Sequence, residues 1–419
     1  MPVNVGVIDI LIEKTNILIK SEEMKEILNY TLVLVLLLFM SCSNERLAKD
    51  IENEEKSEIS NKTVVIDIKQ ITQAQANLSQ LIKDVDYIVL SSDGVHLLSV
   101  PSNIKVADSL IYVSDLDEHL FCLNSMGKFI RDAAIKGHSQ NEIVRLYDFE
   151  VDKNYLYLLD GTKSAILKFK HDGSFVSSTR LQFRAIRMAK MGNDKWSFQL
   201  APFTSDRQNE DCSLAITDGN YHILHKYFKR HSDEKVFSRT PFFENTSSAP
   251  YFFAPMNRRS IYEFKKDGKP FMAYYLNFNQ PYFNPDTETD GYSEAAKEQI
   301  FYTDQNPVSD GRYLIQAFYT SKDVQGTLIV NMKNKKTVFF RDIYNDRHDV
   351  VNFSFLNTKC YNKSNQRFYA FSDVYDDKIH TQTEISQATS NLNDKYRQIL
   401  VRHMDKRPIN GVILTYKLN

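Results

Sequence analysis

Cysteine, glycine and tryptophan are scarce in this chain of 419 residues, and neither sign of charge prevails. The four cysteines stand at 42, 122, 212 and 360, with no C-x-x-C. That spacing argues against a thiolate zinc site or a disulfide framework, and setting Cys42 aside leaves an odd three. Lys and Arg number 52 against 53 Asp and Glu, a net charge of −1. Nucleic-acid binding draws on clustered basic residues, so that partner is not expected. No G-x-S-x-G, H-E-x-x-H or phosphate loop appears. Ser-x-x-Lys occurs at Ser102, Ser125 and Ser232 without its companion motifs, which marks it as chance. What is present is 42% hydrophobic residues and 12% aromatics, enough to bury the core of one large repeat domain or two ordinary ones.

The apolar run Thr31–Met40 (TLVLVLLLFM) has ten residues, half of the roughly 20 that a spanning helix needs. Its length matches the core of a signal peptide, typically about 7–15 residues. Met24-Lys25 upstream reads as the natural start, which makes residues 1–23 an over-extended beginning and 1–41 a leader. Leu38-Phe39-Met40-Ser41-Cys42 resembles a bacterial lipobox, so Cys42 is the expected lipidated first residue of the mature chain. Residues 43–61 hold six acids, three bases and few apolar side chains. Residues 42–61 are therefore expected to be a flexible acidic tether, with a reach of roughly 25 Å. A membrane partner through Cys42 and an outer-membrane location, periplasmic or surface-exposed, follow as expectations.

From residue 62 to 419 a repeat governs the sequence. LFCLNSMGKFI (120–130), ILKFKHDGSFV (166–176), LAITDGNYHIL (214–224) and IYEFKKDGKPFM (261–272) each join two strand-like runs through a glycine turn. Gly127, Gly173, Gly219 and Gly268 are 46, 46 and 49 residues apart. Another β-rich run precedes each pair: IYVSD (111–115), LYLLD (156–160), WSFQL (196–200) and YFFAP (251–255). A fifth unit has Asn334 in the glycine's place, and a sixth begins at 352–356 and 367–371. About four strands per 40–50 residues predicts an all-β fold, a six-bladed β-propeller. Residues 352–356, 367–373 and 412–417 should supply three strands of the last blade, and Tyr87–Leu90 the fourth, hiding both edges. Two interruptions are expected: a short helix in a loop at 286–305, and a carboxyl-terminal helical insertion over Thr381–Met404 with a Thr381-x-x-Glu384 capping box.

The stretches VDYIVLSS (85–92), IYVSDLDEHLFCLNSMGKFIRD (111–132), DFEVDKNYLYLLDGTKSAILKFKHDGSFV (148–176) and INGVILTYKL (409–418) resemble a family of bacterial lipoproteins built as six-bladed, NHL-like propellers. The resemblance implies fold and location and carries no activity with it. Of that family's G-x-G-P-G-E turn, Gly137 to Glu142 keeps only the first glycine and the glutamate.

Candidate chemistry is sparse. Asp115, Asp117, Glu118 and His119 form a loop cluster of oxygen and imidazole groups that calcium would accept, but the glycine turn and later glutamate of an EF-hand are missing. Aspartates in such positions also cap turns. His138 with Glu142 has the composition of an acid–base pair, and equally of an exposed turn between blades. Trp196 is expected in a blade interior. The densest aromatic region, 249–264, nominates Tyr251, Phe252, Phe253, Arg258 and Arg259 as a binding surface, although alternation along strands should bury about half of its rings. No catalytic or metal-ligating residue is assigned, and no cofactor is expected beyond calcium at that cluster. The expected function is a monomeric, lipid-anchored, non-catalytic module binding a glycan, peptide or protein. The alternative is a lactonase-like metal-dependent hydrolase or lyase with a cation in the central channel, which would need side chains from several blades to converge there.

Overall fold

The computed structural model describes residues 53–67, 76–91, 101–191, 194–201, 212–229, 242–243, 251–254, 259–264, 268–277, 301–302, 307–320, 325–340, 343–347, 355–371 and 409–419. Cys42, the leader and both expected helical interruptions lie outside them, except that Phe301–Tyr302 pairs as a strand. The chain divides into two units, Met1–Lys56 and Ser57–Asn419. Residues 53–58 are helical, and Ile59 packs into the core of the second unit. The end of the segment expected as a tether is therefore ordered structure.

The alternating apolar residues pair as six antiparallel sheets, the blades. Blade 1 comprises Pro101–Ala107, Leu110–Asp115, Leu120–Asn124 and Phe129–Asp132. Blade 2 comprises Leu146–Val151, Tyr155–Asp160, Ala165–Lys170 and Phe175–Arg180. Blade 3 comprises Ala185–Met191, Lys195–Leu200, Cys212–Thr217 and Ile223–Lys229. Blade 4 runs Phe242–Phe243, Tyr251–Phe253, Ser260–Phe264 and Pro270–Asn277. In blade 5, Phe301–Tyr302 and Val308–Ser309 both pair with Tyr313–Thr320, followed by Gln325–Asn331 and Thr337–Phe340. First strands of neighbouring blades contact one another from blade 6 through blades 1, 2 and 3 to blade 4, and Val308–Ser309 of blade 5 contacts Thr358–Asn362 of blade 6, which places these inner strands around the axis.

Blade 6 combines Thr358–Asn362, Arg367–Phe371 and Ile409–Leu418 from the carboxyl end with Ile82–Ser91 from the amino end. Tyr87 pairs with Leu414 and Leu90 with Gly411, so the expected closing strand is in place. The first strand of this blade is misplaced in the sequence reading. Phe355–Asn357 is a 3-10 turn, and the strand begins at Thr358. Phe355 is held by packing on Tyr416, which pulls it out of the sheet edge. The amino-terminal segment also pairs elsewhere: Val64–Asp67 runs parallel on Pro270–Asn277, and Ala76–Asn77 on Ile343–Tyr344.

Period-two alternation divides each strand between two seams. On the second strand of blade 1, Tyr112 joins the core shared with blade 2, while Ile111 and Val113 join the core shared with blade 6. Six apolar clusters result, one between each pair of neighbouring blades. Turn chemistry follows the glycines where the backbone demands it. Gly127 has φ +80°, and a Cβ there would lie 2.3 Å from the Val89 carbonyl of the closing strand. Asn334 stands in for glycine in blade 5, but Lys335 carries the positive φ, 61°.

Antiparallel pairing gives the ring two ends. One, the upper, carries the turns between second and third strands and the blade-to-blade connections. The lower end carries the turns between first and second and between third and fourth strands.

Candidate functional site

At the upper end, Asp115, Asp117 and His119 do come together, with one ligand atom from each within 4.8 Å of the others. Hydrogen bonds already engage the group. One Asp115 oxygen accepts the His119 backbone N–H at 2.8 Å, and the other meets His119 Nδ1 at 2.9 Å. Glu118 accepts from Arg145 at 2.8 Å, and Lys136 donates to the Asp117 carbonyl at 2.7 Å. The same clasp recurs at the lower end of blade 3, where Asp218 accepts the His222 N–H at 2.8 Å and meets its Nδ1 at 3.1 Å. Recurrence at opposite ends of the ring marks an Asp-x-x-x-His turn lock.

His138 and Glu142 form no acid–base pair. The Glu142 carboxylate accepts the Ser139 N–H at 2.9 Å, and backbone donors hold it below the usual carboxylate range. Lys163 donates to the carbonyls of Ser139 and Glu142 at 2.7 and 2.6 Å, while His138 is exposed. A Cβ on residue 137 would lie 2.0 Å from Glu142 Oε2. Glu142 thus packs directly against the bare face of Gly137.

The aromatic candidates fall inside the blades. Phe252 and Phe253 are 1% exposed, on opposite seams of blade 4, and Arg259 is 4% exposed. They are packing residues, as strand alternation dictates for inward rings. Arg258 and the Tyr251 side chain lie outside the described residues. Trp196 is interior, as expected.

Near the axis, charge is spent on joining blades. Lys105 of blade 1 donates to Glu150 of blade 2 at 2.6 Å, and the Glu150 side chain is fully buried. Asp148 accepts the Met188 N–H of blade 3 at 2.9 Å. Arg187 donates to the Tyr147 carbonyl at 2.5 Å, and burial pulls its guanidinium pKa down while Asp148 opposes this. Among the described residues four inner strands bulge near their start, after Pro101, Leu146, Ala185 and Thr358. Such bulges re-aim side chains at the rim of a closed sheet.

A different arrangement occupies the lower end of the seam between blades 2 and 3. Its floor is Tyr157 and Trp196, edge to face at 4.8 Å. Tyr155, Lys168 and Ser177 of blade 2 and Lys190, Tyr221 and Ile223 of blade 3 border it, all half-buried. Lys190 donates to Asp152 and, at 3.2 Å, to the Tyr157 hydroxyl. Tyr157 also donates to Asp152 at 2.9 Å. Burial would raise the Asp152 pKa, but these bonds and the Asn154 N–H bring it below its ordinary value. Lys168 is different. Its ammonium lies 3.7 Å from the Tyr155 ring centre and 5.6 Å from that of Tyr157, and among the described residues it has no carboxylate partner. Tyr221 holds φ at 67°, a costly conformation for a bulky residue, fixed by the Asp218 turn. Its ring packs on Trp196 and Phe198 at 5.7 and 6.0 Å. The sequence reading missed this arrangement, since its residues come from six strands and two turns.

The adjoining seam carries a relay in support. His171 Nε2 faces the Asp152 carbonyl at 2.8 Å and must donate to it, so Nδ1 accepts from the Tyr112 hydroxyl at 2.9 Å. Arg131 donates to the His171 carbonyl at 2.6 Å.

The family model described as a domain of unknown function, DUF4934, matches residues 63–417. The chain belongs to the DUF4934 family. Similar solved structures include a Bacteroides fragilis NCTC 9343 protein described as "Putative exported protein", with 15% identity and a TM-score of 0.66 over 85% of this chain and 100% of that one. A DUF4221 family member from Bacteroides vulgatus ATCC 8482 has 6% identity and a TM-score of 0.48, over 81% and 97%. A streptogramin B lyase has 11% identity and a TM-score of 0.41, over 80% and 98%. No curated protein matches the chain. In this DUF4934 protein the first of these likenesses establishes the propeller fold. No helix among the described residues is long and apolar enough to cross a membrane.

Proposed function

We propose that this DUF4934 protein is a lipid-anchored propeller of the cell envelope that binds a ligand and transforms nothing. The observation carrying this reading is the patch of rings and lysines at the lower end of the seam between blades 2 and 3. There the ammonium of half-buried Lys168 lies 3.7 Å from the Tyr155 ring centre, with no carboxylate partner among the described residues, beside a floor of packed rings. An ammonium held on a ring by cation–π attraction can still donate to the acceptor of a ligand. The axial charges support the same reading from the other side, because Lys105, Glu150, Asp148 and Arg187 serve as bridges between blades. The anchor rests on the short apolar run ending at Ser41-Cys42, and the description of the similarly folded B. fragilis protein as exported accords with it.

Thermal-shift screening of the full chain against glycans, peptides and divalent cations tests this. A raised Tm with a glycan or peptide and no product formed is expected. Turnover of a lactone or glycan that stops on chelation would overturn it. Cys42→Ala should leave an unlipidated precursor that no longer partitions into detergent, and equal partitioning of both forms would remove the anchor from the reading.

A further inference from the structure

Charge is divided unevenly over the lower end of the ring. In the described lower turns of blades 1, 2 and 3, two lysines stand against five aspartates. In those of blades 4, 5 and 6, five lysines and Arg312 stand against Asp310 alone. The formal charges are −3 and +5, in a chain whose net charge is −1. Arg312 engages Asp310 at 3.3 Å, which leaves the lysines in excess. Lys333, Lys336 and Lys363 are exposed and meet no carboxylate among the described residues. Blades 4, 5 and 6 adjoin through shared apolar cores, so these turns form one basic arc.

The amino-terminal segment joins the ring beside that arc. Glu58 accepts from the Tyr262 hydroxyl at 2.9 Å, and Thr63 donates to the Met272 carbonyl at 2.9 Å. Tyr262 pairs with Met272, close to Pro270 at the lower start of the outer strand of blade 4. From there the segment runs upward, with Val64 opposite Tyr274 and Asp67 opposite Asn277. The chain therefore enters the ring in the lower half of blade 4. From the arc and this point of entry we infer that the lower end of blades 4 to 6 docks on an anionic membrane surface, its lysines against lipid headgroup phosphates. This goes beyond the binding reading and rests on the anchor at Cys42 within it. The tether is acidic, so the attraction must come from the ring. The field of such a surface extends about 10 Å at ordinary salt, and a tether reaching roughly 25 Å returns the arc to that zone repeatedly. Basic residues there add to the hold of a lipid anchor. The negative turns of blades 1 to 3 are repelled, which tilts the ring and leaves the lower end of the seam between blades 2 and 3 open to solvent.

The test is lysine acylation, read by mass spectrometry, of the full lipidated chain on vesicles. Phosphatidylcholine alone is compared with phosphatidylcholine containing about 30% phosphatidylglycerol. Acylation of Lys333, Lys336 and Lys363 should be about fivefold slower on the anionic vesicles, with Lys136 at the upper end unchanged. Salt at about 0.5 M NaCl should erase the difference. Lys333→Gln combined with Lys336→Gln should restore fast acylation of Lys363 at unchanged Tm, and the corresponding pair of arginines should keep it slow. Should the glutamine variant fail to fold, the two vesicle compositions on the native chain still decide. Equal rates on both compositions, slowing of Lys136 instead, or the same slowing by inorganic phosphate in detergent would overturn the inference. A chain that floats with both vesicles at equal rates loses only this surface; one that floats with neither loses the anchor as well.

Discussion

Blades 1, 2 and 3 are joined by consecutive chain and cross-linked near the axis by charge, whereas blade 6 is joined by the two ends of the chain and locked by backbone pairing. In the first region the Lys105–Glu150 bridge and the Asp148–Met188 bond span neighbours already connected through residues 133–145 and 181–184. In the second, the Ile82–Ser91 strand lies along Ile409–Leu418 for almost its whole length, and a buried pair, Thr358 Oγ1 and Tyr416 Oη at 2.8 Å, lies behind it. Polar bridges set the register between blades that would meet anyway. Closure depends chiefly on a long ladder of main-chain bonds, with Tyr416 and Phe368 stacked at 5.2 Å behind it and Arg367 donating to the Asp84 carbonyl and, at 3.0 Å, to Thr415 Oγ1.

Deleting residues 409–419 should break the comparison outright. The third strand of blade 6 goes, Ile82–Ser91 loses its partner, and cooperative unfolding of the whole domain should vanish in calorimetry. A domain that keeps one sharp transition would show that closure is dispensable. Next in size is Lys105→Met, which takes the cation from a fully buried carboxylate. Breaking a buried pair costs about 3–5 kcal/mol, and the lower figure is expected because Glu150 also accepts the Val151 N–H. Chemical denaturation should report it as a lower midpoint at constant slope. Tyr416→Phe should cost about 1 kcal/mol, the net value of one hydrogen bond, with the ring stack retained.

The smallest effect expected is one of pH. Asp152 joins blades 2 and 3 through Lys190, and its folded pKa lies below the ordinary value. A depressed carboxylate contributes stability that is complete above the unfolded pKa and is lost as pH falls through the lower folded value. Tm should therefore decline more shallowly with acid in Asp152→Asn than in the native chain. Parallel declines would assign the acid sensitivity to other carboxylates.

The blades could be read from the sequence because each is local. Alternation gives the strands, and Gly127, Gly173 and Gly268, with φ of +80°, +93° and +86°, sit where turns need them. Gly219 shows the limit of that signal. It lies in the right place, yet the positive φ is carried by Tyr221. The inner strands were less legible, because they mix charge with apolar residues: Asp148, Glu150, Arg187 and Lys190 read as exposed until neighbouring blades supply their partners. The site was the least legible part. Phe252 and Phe253 drew notice by density, which in a strand signals core as readily as surface. Lys168 stands out only because no carboxylate meets it among the described residues, and a missing contact leaves no trace in composition.

The amino-terminal strands have a consequence for timing. Asn419 hydrogen-bonds the Ser79 carbonyl across 340 positions and the Leu81 carbonyl at 3.1 Å, and Ser79 in turn donates to Asp346. A single blade closes a loop of about 45 residues, costing about 3.4 kcal/mol of chain entropy on the (3/2)RT ln n scale, while joining Ser79 to Asn419 costs about 5 kcal/mol on the same scale. The earlier-made strand Ile82–Ser91 must therefore wait for the later-made Ile409–Leu418. In an exported chain both would have to clear the membrane before either could be buried, so the ring can shut only after translocation is finished, and a stalled chain would present free strand edges at its leading end.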